Sequence, residues 1–328
     1  MKIKVITVSL ILSALIAVGF TTAICVGAKN IPLETIWFSI TDYNPDIIDM
    51  QLIRDVRIPR AVCTILVGAF LGVSGAAMQG VTRNPIAEPT IMGISQGATL
   101  TVTIAVVMSV GGGMSGKSLA ALAGAFASGM LVLLFSVQSA RNMSLSRLLL
   151  AGTAIGTFFI SLSTIIAMIH NRSWDVAFWV AGGFRTAEWK QVCLLSAGGI
   201  IFMLVLLLLS GRINIVNLGE DIAVSLGTNP GRVRFITILL IVPLCAVSVA
   251  AAGNIAFVGL IIPHIMRRIF GVDYRLIMPF SALGGSLLLV WADIAARMIN
   301  NPYETPIGLF TSLMGVPFFL YLVRKENG

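Results

Sequence analysis

The sequence predicts an all-α membrane protein of about ten transmembrane helices. Of its 328 residues 57% are hydrophobic and only 11% charged, whereas soluble domains carry about 25% charged residues. Apolar runs close to the ~20 residues that cross a bilayer recur along the whole chain. The net charge of +8 is also unevenly placed. With the N-terminus inside and the spans alternating, thirteen basic residues stand with five acidic ones on the inner side, and nine with nine on the outer. That is the bias of positive-inside topology. The basic balance is therefore a topology signal, and nucleic acid is not an expected partner.

The spans read as 5–27, 61–80, 91–110, 118–138, 148–169, 192–210, 234–251, 255–266, 276–298 and 307–323. Lys2 and Lys4 precede the first, whose apolar run is longer than a signal-peptide core and has no small-x-small cleavage site after it. It reads as a retained helix. The second carries Gly68, Gly72, Gly75, Ala76 and Ala77, the small residues that let membrane helices press their backbones together. Those glycines, with Asn84 and Pro85 of the polar turn that follows, are the candidate packing and pathway residues. The third span is again rich in small residues, and the fourth to seventh are plain apolar runs. The eighth is too short for a simple crossing; it follows a Gly253-Asn254 break and holds Pro263. In the ninth, Asp293 and Arg297 lie one helical turn apart near the outer end, spaced to pair on one face. No stretch is left for a separate soluble domain, so residues 1–328 form one polytopic domain with both termini cytoplasmic.

Enzymatic chemistry finds little support. Residues 111–118, GGGMSGKS, match the phosphate-loop pattern with Lys117 and Ser118 in the signature positions. That loop has to follow a buried strand and open a helix, but here it joins two membrane spans on the outer side, so it reads as a flexible turn. Cys25, Cys63, Cys193 and Cys245 lie in or at the ends of apolar spans without a CxxC pair, as small buried hydrophobes do, and no metal site or disulfide framework is expected. His264 follows Pro263, where a local hydrogen bond or cap is the expected role. The span centres hold almost no ionisable residues, and pumps and proton-coupled carriers place such residues there. A pathway powered from elsewhere fits better, and no cofactor is expected.

Two regions suit partners. The longest inner connection, about 211–233, contains a short amphipathic helix. Asn217 is placed to cap it, Glu220 and Asp221 suit its N-terminal dipole, Ile222, Ala223 and Leu226 form an apolar stripe, and Gly227 stops it. Few bulky anchors and no basic face favour a protein partner over bare membrane lipid. On the outer side, Arg57 and Arg60 flank Pro59 at the mouth of the second span and Arg297 closes the ninth. Snorkelling is the plain account of such charges; three fixed guanidinium groups also suit carboxylates of a docking protein.

The segments RIPRAVCTILVGAFLGVSGAAMQGVTRNPIAEPTIMGISQGA, LLLAGTAIG, LGEDIAVSLG, GNIAFVGLIIPHIMRRIFGVDYRLIMPFSALGGSLLLVWADIAAR and ETPIGLFTSLMGVPFFLYLV closely resemble, in order and spacing over about 57–323, the permease subunits of ABC importers for iron-siderophores, haem and cobalamin, the type II importer fold. The resemblance implies ten helices per subunit and a second permease subunit, identical or paralogous. It also implies two cytoplasmic ATP-binding subunits that hydrolyse the ATP, and an extracytoplasmic solute-binding protein, in a bacterial cell membrane. It further implies that Glu220, Ala223, Leu226 and Gly227 belong to the loop that seats on the ATPase. Arg57, Arg60 and Arg297 would be the arginines that meet glutamates of the binding protein. An iron-siderophore is the first expected cargo, with cobalamin and haem open. A secondary carrier or channel working alone is the alternative from another class, and a non-transporting scaffold or receptor is a third.

Overall fold

The computed structural model describes residues 2–27, 29–109, 114–136, 145–185, 187–300 and 303–326, and every regular element among them is helical. Helix α1 (Lys2–Cys25) is followed by the short α2 (Leu33–Thr41) and α3 (Ile48–Gln51). The latter runs through a π-helical stretch, Leu52–Arg57, into α4 (Ile58–Thr82). A 3-10 turn at Pro89–Met92 leads to α5 (Ile94–Val107), and then come α6 (Met114–Ser136), α7 (Leu145–Ile169), α8 (Ser173–Ala181) and α9 (Trp189–Leu208). Two short helices, α10 (Ser210–Asn217) and α11 (Glu220–Ser225), precede α12 (Pro230–Ala252), α13 (Val258–Phe270), α14 (Tyr274–Met298) and α15 (Ile307–Glu326).

Among the described residues seven helices are long and apolar enough to cross a membrane, and Ile94–Val107 and Ile307–Leu322 are shorter apolar ones. Each of the ten expected spans meets one helix, with ends shifted by a few residues. The third is cut back at both ends: α5 begins only at Ile94 and its 14 residues rise about 21 Å. The preceding segment has turned back into the bundle, since Ala87, Glu88 and Met92 are buried and Gly93 faces Gly152 and Gly156, about two to three turns into α7. Non-helical backbone at such depth has to be satisfied by protein, and Glu88 does part of this: its Oε1 accepts the N–H of Phe257 at 2.5 Å. Phe257 is left-handed, φ 70°, and closes the break between α12 and α13.

Helix α4 is the buried axis: nearly every residue from Val67 to Val81 is out of solvent. A Cβ at Gly68 would fall on the Gly285 carbonyl, at Gly72 on the Ser281 carbonyl, and at Gly75 on Gly259. Gly68 and Gly72 therefore mesh, antiparallel, with Ser281 and Gly285 of α14, small-xxx-small against small-xxx-small. Gly75 seats the start of α13. The opposite extreme is α1, whose Ile3, Ile6, Leu10, Ile11 and Val18 are exposed as a lipid-facing surface requires.

Candidate functional site

The bundle has two chemically distinct ends. At the Arg60 end the three arginines sit together and inward, at 6% (Arg57), 7% (Arg60) and 8% (Arg297) exposure. The reason begins in α1. The last carbonyls of a helix have no partner within it, and those of Ala23, Ile24, Cys25 and Val26 are taken by arginine. Arg297 Nη1 donates to Ala23 and Val26 at 3.0 Å each, and Arg57 Nη1 donates to Ile24 at 2.5 Å and Cys25 at 2.9 Å. Arg57 Nη2 reaches the Lys29 carbonyl. Cations at a helix C-terminus also suit its dipole.

Arg60 is held by carboxylates. Its Nη2 and Nε donate to Asp293 Oδ1 at 2.9 and 3.1 Å, and its Nη1 donates to Glu304 at 2.6 Å. The expected Asp293–Arg297 pair forms at 3.1 Å, so Asp293 serves two guanidinium groups. Sequence reasoning missed Asp293 and Glu304 as partners of Arg60. Every one of the three arginines thus has partners in its own chain. Among the described residues, the cations exposed at this end include Arg54, stacked on Tyr43 with its guanidinium 4.5 Å from the ring centre, Lys29, paired with Asp49 at 2.7 Å, and Arg185 and Lys190. A cavity of about 500 Å³ opens beside them, lined among others by Arg60, Lys117, Trp179, Arg185, Gln191 and Glu304. Lys117 and Ser118 of the phosphate-loop match lie in the first turns of α6, with helix on both sides of the connection; Gly111 to Gly113 fall outside the described residues.

At the Arg267 end, the connection expected at about 211–233 is two helices. Asn217 ends α10, and the residue before α11 is Gly219 at φ 133°; this corrects the expectation that Asn217 caps the helix. Glu220 is in the first turn as expected, and its carboxylate pairs with Arg234 at 2.7 Å. Helix α11 ends in a Schellman motif, with Gly227 N–H on Val224 and Thr228 N–H on Ala223 at 2.9 and 2.8 Å. Gly227 takes the left-handed position such a stop requires, φ 73°. The exposed apolar stripe loses Ala223 and gains Leu218 and Val224. Ala223 is fully buried, and the exposed residues are Leu218, Ile222, Val224 and Leu226. Asn84 and Pro85, half-buried, form the turn leaving α4: Asn84 Oδ1 accepts the Ile86 N–H at 3.0 Å. The His264 ring meets Phe318 edge-on, centroids 5.4 Å apart.

The described residues form an all-helical bundle with a glycine-seamed central helix, a broken helix pair and an exposed apolar helix at one end, and comparison with known sequences decides the family. The sequence pattern of the FecCD transport family matches residues 15–325. The chain belongs to that family. It is 44% identical over 313 residues to the iron(3+)-hydroxamate import system permease protein FhuB of Bacillus subtilis strain 168, covering 95% of this chain and 82% of that one. It is 39% identical over 277 residues to the Fe(3+)-citrate import system permease protein YfmD of the same organism, covering 84% and 82%. Among solved structures it matches a metal-chelate type ABC transporter in an inward-facing conformation, with a TM-score of 0.83, 30% identity, and 96% and 97% of the two chains covered. The resemblance read from the sequence holds, and the chain is a multi-pass membrane protein of an ABC permease family.

Proposed function

We propose that this chain is the permease subunit of an ATP-driven importer that carries a ferric siderophore, a ferric hydroxamate first, into the cytoplasm. The observation that carries the reading is the 44% identity, over 95% of the chain, to a permease named for iron(3+)-hydroxamate import. The Arg267 end is cytoplasmic in this reading, in keeping with the basic residues gathered there, with ten crossings and both termini inside the bacterial cell membrane. A second permease subunit completes the pathway, and two ATP-binding subunits seat on α11. Leu218, Ile222, Val224 and Leu226, exposed in this chain, offer them an apolar face. The ATP is theirs, and the permease holds no cofactor.

The extracytoplasmic binding protein docks at the Arg60 end. Arg54, Arg185 and Lys190 are among the exposed cations there, suited to carboxylates on a partner. Arg57, Arg60 and Arg297 shape the mouth beneath them, bonded as they are to α1 and to Asp293.

The test is uptake of radiolabelled iron presented as hydroxamate, citrate or haem chelate, alongside cobalamin, in cells that depend on this chain. Import of the hydroxamate should survive collapse of ion gradients and stop on ATP depletion. Leu226→Asp should abolish import while the chain still reaches the membrane. Import that follows the ion gradient, or a preference for cobalamin or haem, refutes the assignment.

A further inference from the structure

Pro263 lies in the middle of α13 and has no N–H, so the carbonyl of Gly259 four residues back loses its partner inside the helix. The replacement comes from a different helix. Gln79 of α4, 1% exposed, donates through Nε2 to the carbonyls of Gly259 and Leu260 at 3.2 and 3.3 Å. The other end of the same amide accepts from Arg267 Nη2 at 3.0 Å. Arg267 Nη2 also lies 3.0 Å from the Tyr274 hydroxyl. Tyr274 opens α14 with its ring buried, and its backbone N–H donates to Asn214 Oδ1 at 2.6 Å. The Asn214 amide in turn donates to Asp273 at 2.6 Å, the residue that caps α14 through Arg275 N–H.

Asn214 belongs to α10, the helix joined to α11. A continuous line of hydrogen bonds therefore runs from the α10–α11 pair to the proline notch of α13. Packing backs it: a Cβ on Gly80, next to Gln79, would strike Ile213 of α10 and Tyr274 of α14 together. A separate tie runs from Glu220 through Arg234, whose Nε donates to the Val81 carbonyl at 3.0 Å.

We propose that Gln79 is a positioning residue for transport: through Arg267, Tyr274 and Asn214 it links displacement of α10–α11 to the notch of α13. The inference rests on the reading above that ATP-binding subunits press on α11. The physical basis is that a buried amide bonded on both sides cannot let one partner move without moving the other or stranding polar groups in an apolar interior. An element whose arrangement both sites bias is what coupling requires.

The experiment uses the complete transporter with its ATP-binding subunits and binding protein in proteoliposomes, and measures solute moved per ATP hydrolysed. Gln79→Leu should keep ATP hydrolysis near the wild-type rate while solute per ATP falls by roughly twofold to thirtyfold, the range over which such networks modulate coupling. Gln79→Glu keeps the acceptor for Arg267 but loses the donors to the notch, and should be uncoupled as well. Asn214→Leu should uncouple to a similar degree, and the double variant Gln79→Leu/Asn214→Leu no further than either single one. Solute and ATP falling in proportion, no change in the ratio, or multiplicative effects in the double variant would each overturn the proposal. If Gln79→Leu does not assemble, Tyr274→Phe removes only the hydroxyl facing Arg267 and carries the same test, an unchanged ratio again overturning it. Absence of ATP-driven uptake by the wild-type complex would instead overturn the functional reading.

Discussion

Replacing Asp293 separates the two readings of the arginine mouth. Its carboxylate, 2% exposed, accepts from Arg60 at 2.9 and 3.1 Å and pairs with Arg297 at 3.1 Å. Asp293→Ala leaves two guanidinium groups, each under a tenth exposed, without the carboxylate they share. Stranding a buried charge in this way costs about 3–5 kcal/mol. Arg60→Met is milder, because Asp293 keeps Arg297 and the partly exposed Glu304 keeps Arg185 at 3.6 Å; losing hydrogen bonds to charged groups here costs about 2–3 kcal/mol. The double variant Arg60→Met/Asp293→Leu removes one of the two buried guanidinium groups together with the carboxylate but still leaves Arg297 short of it, so it should be more stable than Asp293→Ala alone and less stable than Arg60→Met. The assay is thermal unfolding of the detergent-purified permease without any partner, followed by loss of the monodisperse peak on size exclusion. The expected order of stability is wild type, then Arg60→Met, then the double variant, then Asp293→Ala. If all three unfold with the wild type while only binding-protein docking is lost, the internal-anchor account is wrong and the arginines act as docking groups alone.

Two further outcomes follow from single contacts. Gly75→Ala puts a methyl group on the Gly259 backbone, which has no flexible end to yield, so overpacking should cost about 1–3 kcal/mol. Gly156→Ala meets its neighbours at an ordinary 3.4 Å and should be neutral, or stabilising by up to about 1 kcal/mol through helix propensity; the same thermal assay compares them. Glu88→Ala leaves the Phe257 N–H unpaired in the interior at a cost of about 1–3 kcal/mol, while Glu88→Gln keeps an acceptor and should lose less than half as much. Hydrogen exchange over 253–258 should rise only in the alanine variant.

Much of the fold could be read from composition, because a lipid solvent constrains it so tightly: apolar length set the helices, and small residues marked α4 as a close-packing element. Which helices it packs against could not be read that way. Gly72 announces a close approach, but nothing near it in sequence says that the neighbour is Ser281. The re-entrant segment was hidden for a related reason. Glu88 looks like one more acid in an inner turn until Phe257, 169 residues away, supplies its N–H. Gln79 was equally silent, although a glutamine amid apolar residues and a proline in a span too short to cross are both visible signals. Each implies a polar group that needs a partner, and the two satisfy each other.

The arginines show why a charge at a helix mouth is ambiguous in sequence. Seen from α4, Arg57 and Arg60 are cations at an interface, and a partner's carboxylates are a natural destination. Seen from α1, a helix ending at Cys25 has carbonyls that its own turns do not fill: Val26 N–H serves Thr22 and Ile31 N–H serves Cys25, and among the described residues Ala23 and Ile24 take no backbone donor from the segment that follows. In a low-dielectric surrounding those acceptors carry a desolvation cost, and the nearest long donors are Arg57 and Arg297. The cost falls on the permease whether or not a binding protein is present, so the internal bonds form first. Any docking carboxylate then has to displace helix-terminal carbonyls or Asp293 to reach these groups. Exposed Arg54 and Lys190 face no such competition from α1, and charge reversal at those two positions should lower the association rate of the binding protein in a salt-dependent way while changing the melting of the permease little.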